Sequence, residues 1–253
     1  MNHHTMLRCT LLYSACLMLS IPSIAQQVEV ITTESPGIKE AYFSSGSEWI
    51  FSTPILDVNG SDKGAVIRFA PFFNAQGMLN YDLSSSFGLF TGLSVRNQGF
   101  IYKVPNDSLD IRYKFRTYNV GIPIGFKVGS MNNTLVYLGY EIEVPINYKE
   151  KRFENEKKED KFNVWFSDRS SAFYQSVFIG FQGPGSSTLT IRYYLTNFHN
   201  KDFTETKDGV QTKPYAGLNA NVLAVSLGFG LFDGKVTKRN FDTAKPEPQA
   251  WRW

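Results

Sequence analysis

From Tyr118 to Val128, in the stretch "YNVGIPIGFKVG", every second residue is apolar: Tyr118, Val120, Ile122, Ile124, Phe126 and Val128. Between them stand Asn119, Gly121, Pro123, Gly125 and Lys127. A period of two marks a β-strand with two unlike faces. The same alternation recurs along the chain, and no helical period persists after the amino-terminal segment. Ala65 to Leu79 sets Ile67, Phe69, Phe73 and Leu79 against Arg68, Asn74 and Gln76. Phe87 to Ile101 sets Phe87, Leu89, Leu93 and Val95 against Gly88, Ser94, Arg96 and Gln98. A fifth run sets Val136, Leu138, Tyr140, Ile142, Val144 and Ile146 against Gly139, Glu141, Glu143 and Asn147. A sixth sets Phe173, Val177, Ile179 and Phe181 against Tyr174, Ser176 and Gly180, and a seventh sets Leu189, Ile191, Tyr193 and Leu195 against Thr190, Arg192, Tyr194 and Thr196. The eighth sets Leu223, Val225, Leu227, Phe229 and Leu231 against Ala224, Ser226, Gly228 and Gly230. A first strand near Trp49 to Leu56 is interrupted by Pro54. The pattern predicts about eight strands, each near or above the ~9–11 residues that cross a bilayer.

The connections alternate as well. Long polar segments follow strands one, three, five and seven, the longest being "KEKRFENEKKEDKFNVWFSDR"; short ones such as "NYDLSSS", "GSMNN" and "QGPGSS" follow strands two, four and six. Loops sorted by length in this way fit an up-and-down membrane barrel with short periplasmic turns and long external loops. Aromatic residues near expected strand ends, among them Tyr42, Phe43, Trp49, Tyr102, Tyr148, Trp165 and Phe166, fit interfacial girdles. The expected fold is all-β, an eight-stranded antiparallel up-and-down transmembrane β-barrel with its apolar face toward lipid. Periodicity alone leaves open a lipocalin-like ligand-binding barrel or a β-sandwich with apolar faces inward.

Composition narrows the classes. With 19% charged and 42% hydrophobic residues the chain is too polar for a helical membrane protein, and 15% aromatic residues is high. A formal charge of +3 without a dense basic cluster in the barrel region gives no nucleic-acid signature. At the amino terminus, Arg8, the apolar run Leu11 to Ile21 and the small-x-small site Ser23-Ile24-Ala25 read as a signal peptide. Pro22 directly after the run, which is short for a span, disfavours an uncleaved anchor. Both cysteines, Cys9 and Cys16, lie in this segment, so the mature chain is expected to hold no disulfide; the continuing apolar run disfavours lipidation at Cys16. The expected organisation is residues 1–25 signal peptide, 26–45 periplasmic segment, 46–232 barrel and 233–253 periplasmic tail.

Candidate chemistry is sparse. His199, in "TNFHNKD", is the single histidine of the expected mature chain. Lipid-modifying barrel enzymes use a His with a Ser and a carboxylate. Asp202 and many serines are present, but none forms a motif with His199. One histidine makes no metal site, and "GPGSS" (183–187) reads as a turn rather than a phosphate loop. Neither cofactor nor metal is expected. Phe153, Phe162, Trp165 and Phe166 in the long loop offer a candidate binding surface.

Strict alternation points Arg68, Arg96, Lys127, Glu141, Glu143 and Arg192 into the lumen. Lone charges in a narrow interior are costly, so the two glutamates are expected to pair with the cations, Arg192 and Lys127 first. Tyr194, Asn119 and Gln98 are expected to satisfy remaining donors. Such a network plugs the barrel, and eight strands leave an interior that side chains can fill, which disfavours a passive pore.

The stretches "YNVGIPIGFKVG", "FGLFTGLSVRNQGF" and the final "AVSLGFGLF", with the signal segment, resemble the small outer-membrane β-barrel domain family, PorT-like and distantly OmpA-like, of Gram-negative bacteria. The resemblance spans roughly Trp49 to Phe232. It implies an outer-membrane barrel of structural or interaction type, not an enzyme, with an accessory role in protein export as one form of that type. It also implies outer-membrane lipid and a protein or surface partner as contacts, and a monomer. Barrels of this family often end at a terminal aromatic residue. Here Phe232 is expected to close the barrel, with about twenty residues following it.

Overall fold

The computed structural model describes residues 40–58, 64–105, 107–131, 133–207 and 209–233. The expected signal peptide and nearly all of the expected tail lie outside the described residues. Eight strands close into a ring. They are β1 (Glu40–Val58), β2 in three pieces (Ala65–Val66, Arg68–Ala70 and Ala75–Asp82), β3 (Phe87–Lys103), β4 (Arg112–Gly129), β5 (Leu135–Glu154), β6 (Tyr174–Gln182), β7 (Ser187–Tyr194) and β8 (Leu218–Phe229). Chain neighbours pair antiparallel around the ring, and β8 returns to β1 from Ser47↔Phe229 to Val58↔Leu218. Each of the eight strands thus has a partner on both sides over part of its length.

Alternation sets the two faces. Ile122 and Ile124 are 59% and 61% exposed, whereas Asn119, Lys127, Glu141 and Glu143 are fully buried. The other strands repeat this: Leu89, Leu138, Ile179, Ile191 and Leu227 look outward, and Ser94, Ser176, Thr190 and Ser226 look inward. A soluble barrel places its apolar face inward; this one is inverted, as hydrocarbon surroundings require. The lipocalin-like alternative is thereby discarded, and the fold is an eight-stranded transmembrane β-barrel.

Several boundaries depart from the sequence reading. Strand β1 begins at Glu40, so residues 40–45 are barrel strand rather than a preceding segment. It also runs through Pro54. From Thr53 onward β1 is paired with β8 but not with β2, so a missing N–H costs little there. Pro123 has a comparable position. The β3–β4 ladder skips from Thr91↔Ile124 to Ser94↔Gly121, and the Thr91 hydroxyl donates to the Pro123 carbonyl at 2.9 Å. The expected second strand breaks at Pro71 to Asn74, where Phe73 adopts a φ of 63°. Asn74 pins this excursion, its amide donating to the Ala70 carbonyl at 2.8 Å.

The long charged segment after the fifth run is not a loop. Strand β5 continues to Glu154, turns at Asn155-Glu156, and returns as Lys157–Trp165 paired to β5. Both turn residues have positive φ, 45° and 65°, as a two-residue primed turn needs. Strand β5 also carries a bulge: Asn119 pairs with Pro145 but Tyr118 with Asn147, leaving Ile146 as the extra residue. Above it the side-chain phase reverses. Tyr148 therefore lies fully buried in the lumen instead of joining a girdle. At the other end, β8 stops at Phe229, and Gly230, with a φ of 77°, turns the chain inward. Leu231 and Phe232 are consequently buried, not lipid-facing, and Phe232 does not terminate a strand. Its ring packs on Phe90 and Tyr137 at 5.1 and 4.9 Å and corks the short-turn end.

Candidate functional site: a filled lumen beneath an external cup

The middle of the lumen is a charge layer. Arg96 from β3 pairs with Glu48 of β1, with Glu141 Oε2 at 3.2 Å and with Glu143 Oε1 at 3.5 Å. Arg192 from β7 sits 2.6 Å from Glu141 Oε2 and 4.0 Å from Glu143 Oε1. Neutral groups take the remaining valences. Asn119 donates to Glu143 Oε2 at 2.6 Å and to Gln98 at 2.7 Å, and Tyr194 donates to Glu143 Oε1 at 2.9 Å. Ser94 donates to Glu141, Ser226 to Glu48 at 2.6 Å, and Arg96 to Gln76 at 2.8 Å. Gly121 makes room for this layer, because a Cβ there would lie 2.6 Å from Glu141 Oε1 and 2.7 Å from Glu143 Cγ.

Four of the six residues singled out in the sequence thus meet: Arg96, Glu141, Glu143 and Arg192. Lys127 does not join them. It pairs with Asp82 at 2.8 Å and donates to Tyr42 at 2.6 Å and to Asn80 at 3.1 Å. The reason is height along the barrel. Glu141 lies opposite Pro123 and Tyr137 opposite Lys127, four residues lower, or roughly 13 Å at the rise of a strand. Arg68 is not in the lumen layer either: where β2 breaks after Ala70, it lines a groove with Lys114, Arg116 and Tyr118 on the outer wall. It donates to the Asn97 carbonyl at 3.1 Å and to the Asn97 side chain, and makes no ion pair among the described residues. Glu48 and Asp82 were missed. Their signal was present: Trp49 faces outward, so Glu48 beside it must face inward, and Asp82 continues the inward parity of Met78 and Asn80.

Above the charge layer the lumen is aromatic. Phe100, Phe115, Tyr148, Tyr174, Phe198 and Tyr215 pack into one cluster, with His199 inside it. The imidazole stacks on Tyr215 at 4.2 Å and meets the Phe115 ring edge-on at 4.5 Å. Nε2 lies 3.4 Å from the Tyr148 hydroxyl, and Nδ1 has no hydrogen-bond partner. Burial, with the Arg169 charge second, holds His199 far below the ordinary histidine range, at about 3. The hydroxyl in reach is a phenol, and no carboxylate orients the ring, so the histidine is not set as a general base for a serine.

An open cup of about 860 Å³ lies over this cluster, lined among others by Tyr102, Tyr113, Glu150, Phe162, Arg169 and Tyr215. Arg169 spans it. The guanidinium lies 4.3 Å over Phe162 and 5.0 Å over Phe203, and pairs with Glu205 at 2.5 Å. Glu150 accepts from Tyr148 at 2.9 Å and from Tyr215 at 2.8 Å. Burial and the Glu150 charge push the Tyr215 phenol up to about 12, so it remains a donor. Of the aromatic residues expected at a loop surface, Phe162 lines the cup, while Trp165 and Phe166 are exposed.

No known family description matches the chain, and neither does any curated protein. Solved structures give weak likenesses. Ail, the attachment invasion locus protein of Yersinia pestis, solved with the heparin analogue sucrose octasulfate, is 10% identical with a TM-score of 0.36, covering 76% of this chain and 97% of its own. The Neisserial surface protein A is 11% identical with a TM-score of 0.35, covering 75% and 98%. The outer membrane protein OprG from Pseudomonas aeruginosa is 10% identical with a TM-score of 0.33, covering 77% and 95%. The barrel assignment therefore rests on the closed ring of strands and the inverted faces.

Proposed function

We propose that the chain is an outer-membrane protein of structural or interaction type: a plugged barrel that carries an outward cup. The observation that carries this reading is the filling of the lumen at three levels beneath an open mouth. Phe232 and the Lys127–Asp82 pair block the short-turn end, the Arg96–Arg192 layer blocks the middle, and the His199 cluster blocks the top. Such a barrel supplies no aqueous path, and its role falls to the surface its long connections build. The charge layer is structural, the long-loop end faces outward, and the contact partner is a protein or a surface structure. The accessory role in protein export implied by the PorT-like resemblance is the finer form of this reading, with the cup as the contact surface.

The experiment combines conductance with crosslinking. Purified protein in planar bilayers should show no steady ohmic current. On intact cells, a photo-crosslinker at Lys161 in the cup should give a discrete adduct, and one at Ser130 on the short-turn side should not. A stable conductance, or labelling of Ser130 with Lys161 protected, overturns the reading.

A further inference from the structure

The outer wall of the barrel carries a second feature that the cup does not use. Above the Ile146 bulge, Lys149 and Lys151 of β5 turn outward, beside Arg116 and Lys114 of β4. The pairs lie in register, Arg116↔Lys149 and Lys114↔Lys151, and Lys161 of the returning hairpin lies opposite Lys151. Cross-strand neighbours are about 5 Å apart, and successive outward positions about 7 Å along the strand. Four cations therefore stand at the corners of a small rectangle, and like charges directly opposite one another are destabilising.

These residues line one groove of about 280 Å³, together with Arg68, Pro71, Phe72, Phe73 and Tyr118. No carboxylate lines it, and among the described residues none of its five cations makes an ion pair. The charges that bear on Lys114 are Arg68, Lys151, Arg112 and Arg116, all positive; those on Lys149 are Arg116, Lys151, Lys161 and Lys158, again all positive. Arg68 is 3% exposed, and its Nε has no partner; Arg116 Nε is buried and unpartnered too. Elsewhere among the described residues the buried charges are paired, so the unmatched cluster is a local property of this wall.

The surroundings of the cluster narrow the occupant. Directly below it, β4 presents Val120, Ile122 and Ile124, and β5 presents Val144 and Ile142, all outward. Beside it the broken part of β2 exposes Phe69, Phe72 and Phe73, at 49%, 71% and 69%. The Arg116 guanidinium carbon lies 4.3 Å over the Tyr118 ring, and that ring meets Phe73 at 5.5 Å. Cations thus stand on the rim of an apolar wall, with aromatic faces at the same height.

We infer that this wall is a docking site for a lipid whose headgroup carries two phosphates, the phosphates against Arg116, Lys149, Lys114, Lys151 and Arg68 and the acyl chains against the apolar belt beneath. A soluble polyanion would use the cations but has no use for the exposed phenylalanines and the continuous apolar surface below them. The inference rests on the membrane reading above, in which the long-loop end lies at the outward leaflet.

The test uses the full chain folded into phosphatidylcholine vesicles containing either bisphosphorylated lipid A, its dephosphorylated form, or phosphatidylglycerol. Heat-modifiable gel migration reports folding and insertion separately from lipid retention, so failure of the barrel reading is distinguishable from failure of this one. After transfer to detergent, native mass spectrometry counts retained lipid. About one bisphosphorylated lipid per barrel should survive, with retention at least tenfold lower for the dephosphorylated form. Arg116→Gln/Lys149→Gln should lose at least tenfold, and Lys103→Gln/Lys201→Gln, which removes the same charge elsewhere, should not. If the first variant does not fold, Lys114→Gln/Lys151→Gln takes its place. Equal retention by groove and control variants, or indifference to the phosphates, overturns the inference. So does binding of a sulfated polysaccharide in detergent with no preference for the lipid.

Discussion

Strands β4 and β5 carry charge on both sides of the Ile146 bulge, and the two stretches handle it in opposite ways. Below the bulge, Glu141 and Glu143 face the lumen, where two guanidinium groups, two hydroxyls and an amide meet them. Above it, Lys114, Arg116, Lys149 and Lys151 face outward, and the charges that bear on Lys114 and Lys149 are all positive. The difference teaches that location, not composition, decides what a charge does here. A charge sealed from water must be neutralised within the fold, because an unpaired buried ion is very costly. A charge on the outer rim keeps access to water and to external anions, so the fold can leave it unmatched.

The largest effect should come from the buried side of this comparison. Replacing Arg96 with Met leaves Glu48, Glu141 and Glu143 with one guanidinium instead of two, and should cost about 3–5 kcal/mol. Urea unfolding from lipid vesicles measures it; a cost below about 1 kcal/mol would mean that water reaches the layer. Ile124→Arg places a cation on the apolar belt and should cost about 2–4 kcal/mol near the bilayer midplane. Parent-like stability of that variant would contradict the inverted faces.

The aromatic layer titrates. His199 has a folded pKa of about 3, below its unfolded value near 6.5. The unfolded chain therefore binds the proton first on acidification. The contribution is complete above pH ~6.5 and declines as pH falls toward the folded value, with a slope of about 1.4 kcal/mol per pH unit. Unfolding measured between pH 7 and 5 should show little change above pH ~6.5 and should approach this slope below it, and His199→Phe should remove the decline. The smallest effect belongs to the outer wall. In zwitterionic vesicles, Arg116→Gln/Lys149→Gln should leave stability unchanged or raise it by about 0.2–1 kcal/mol, since repulsion between facing cations is relieved. A loss above that range would show a hidden partner for these cations.

Much of this architecture was legible in the sequence because a strand's period is insensitive to neighbours. Ile124, Leu138 and Leu227 could be placed outward, and Glu141, Glu143 and Arg192 inward, from parity alone. What parity does not give is height and phase. Strand order alone pairs Lys127 with the glutamates, since its strand lies within two of theirs around the barrel, yet the register sets Lys127 four residues from Glu141. The bulge at Ile146 reverses phase within "VPINYKEK", so Tyr148 turned inward and Lys149 outward, while the segment beyond read as loop because its charges hide the alternation. Leu231 failed for a local reason: Gly230 takes a left-handed turn, and the residues after it leave the ladder. The external cup was the least legible part, since Arg169, Glu150 and Tyr215 come from separate connections that only closure brings together.

The central claim, that lumen charges are satisfied by one another, is tested most directly by a double-mutant cycle between Glu141 and Arg192. Glu141→Gln, Arg192→Met and the double variant would be unfolded with urea from phosphatidylcholine vesicles at neutral pH. Contact at 2.6 Å in a dry interior predicts a coupling of about 1–3 kcal/mol, the double variant losing less stability than the two single variants sum to. Additivity within about 0.5 kcal/mol would contradict it, and would mean that the layer is solvated and the lumen open.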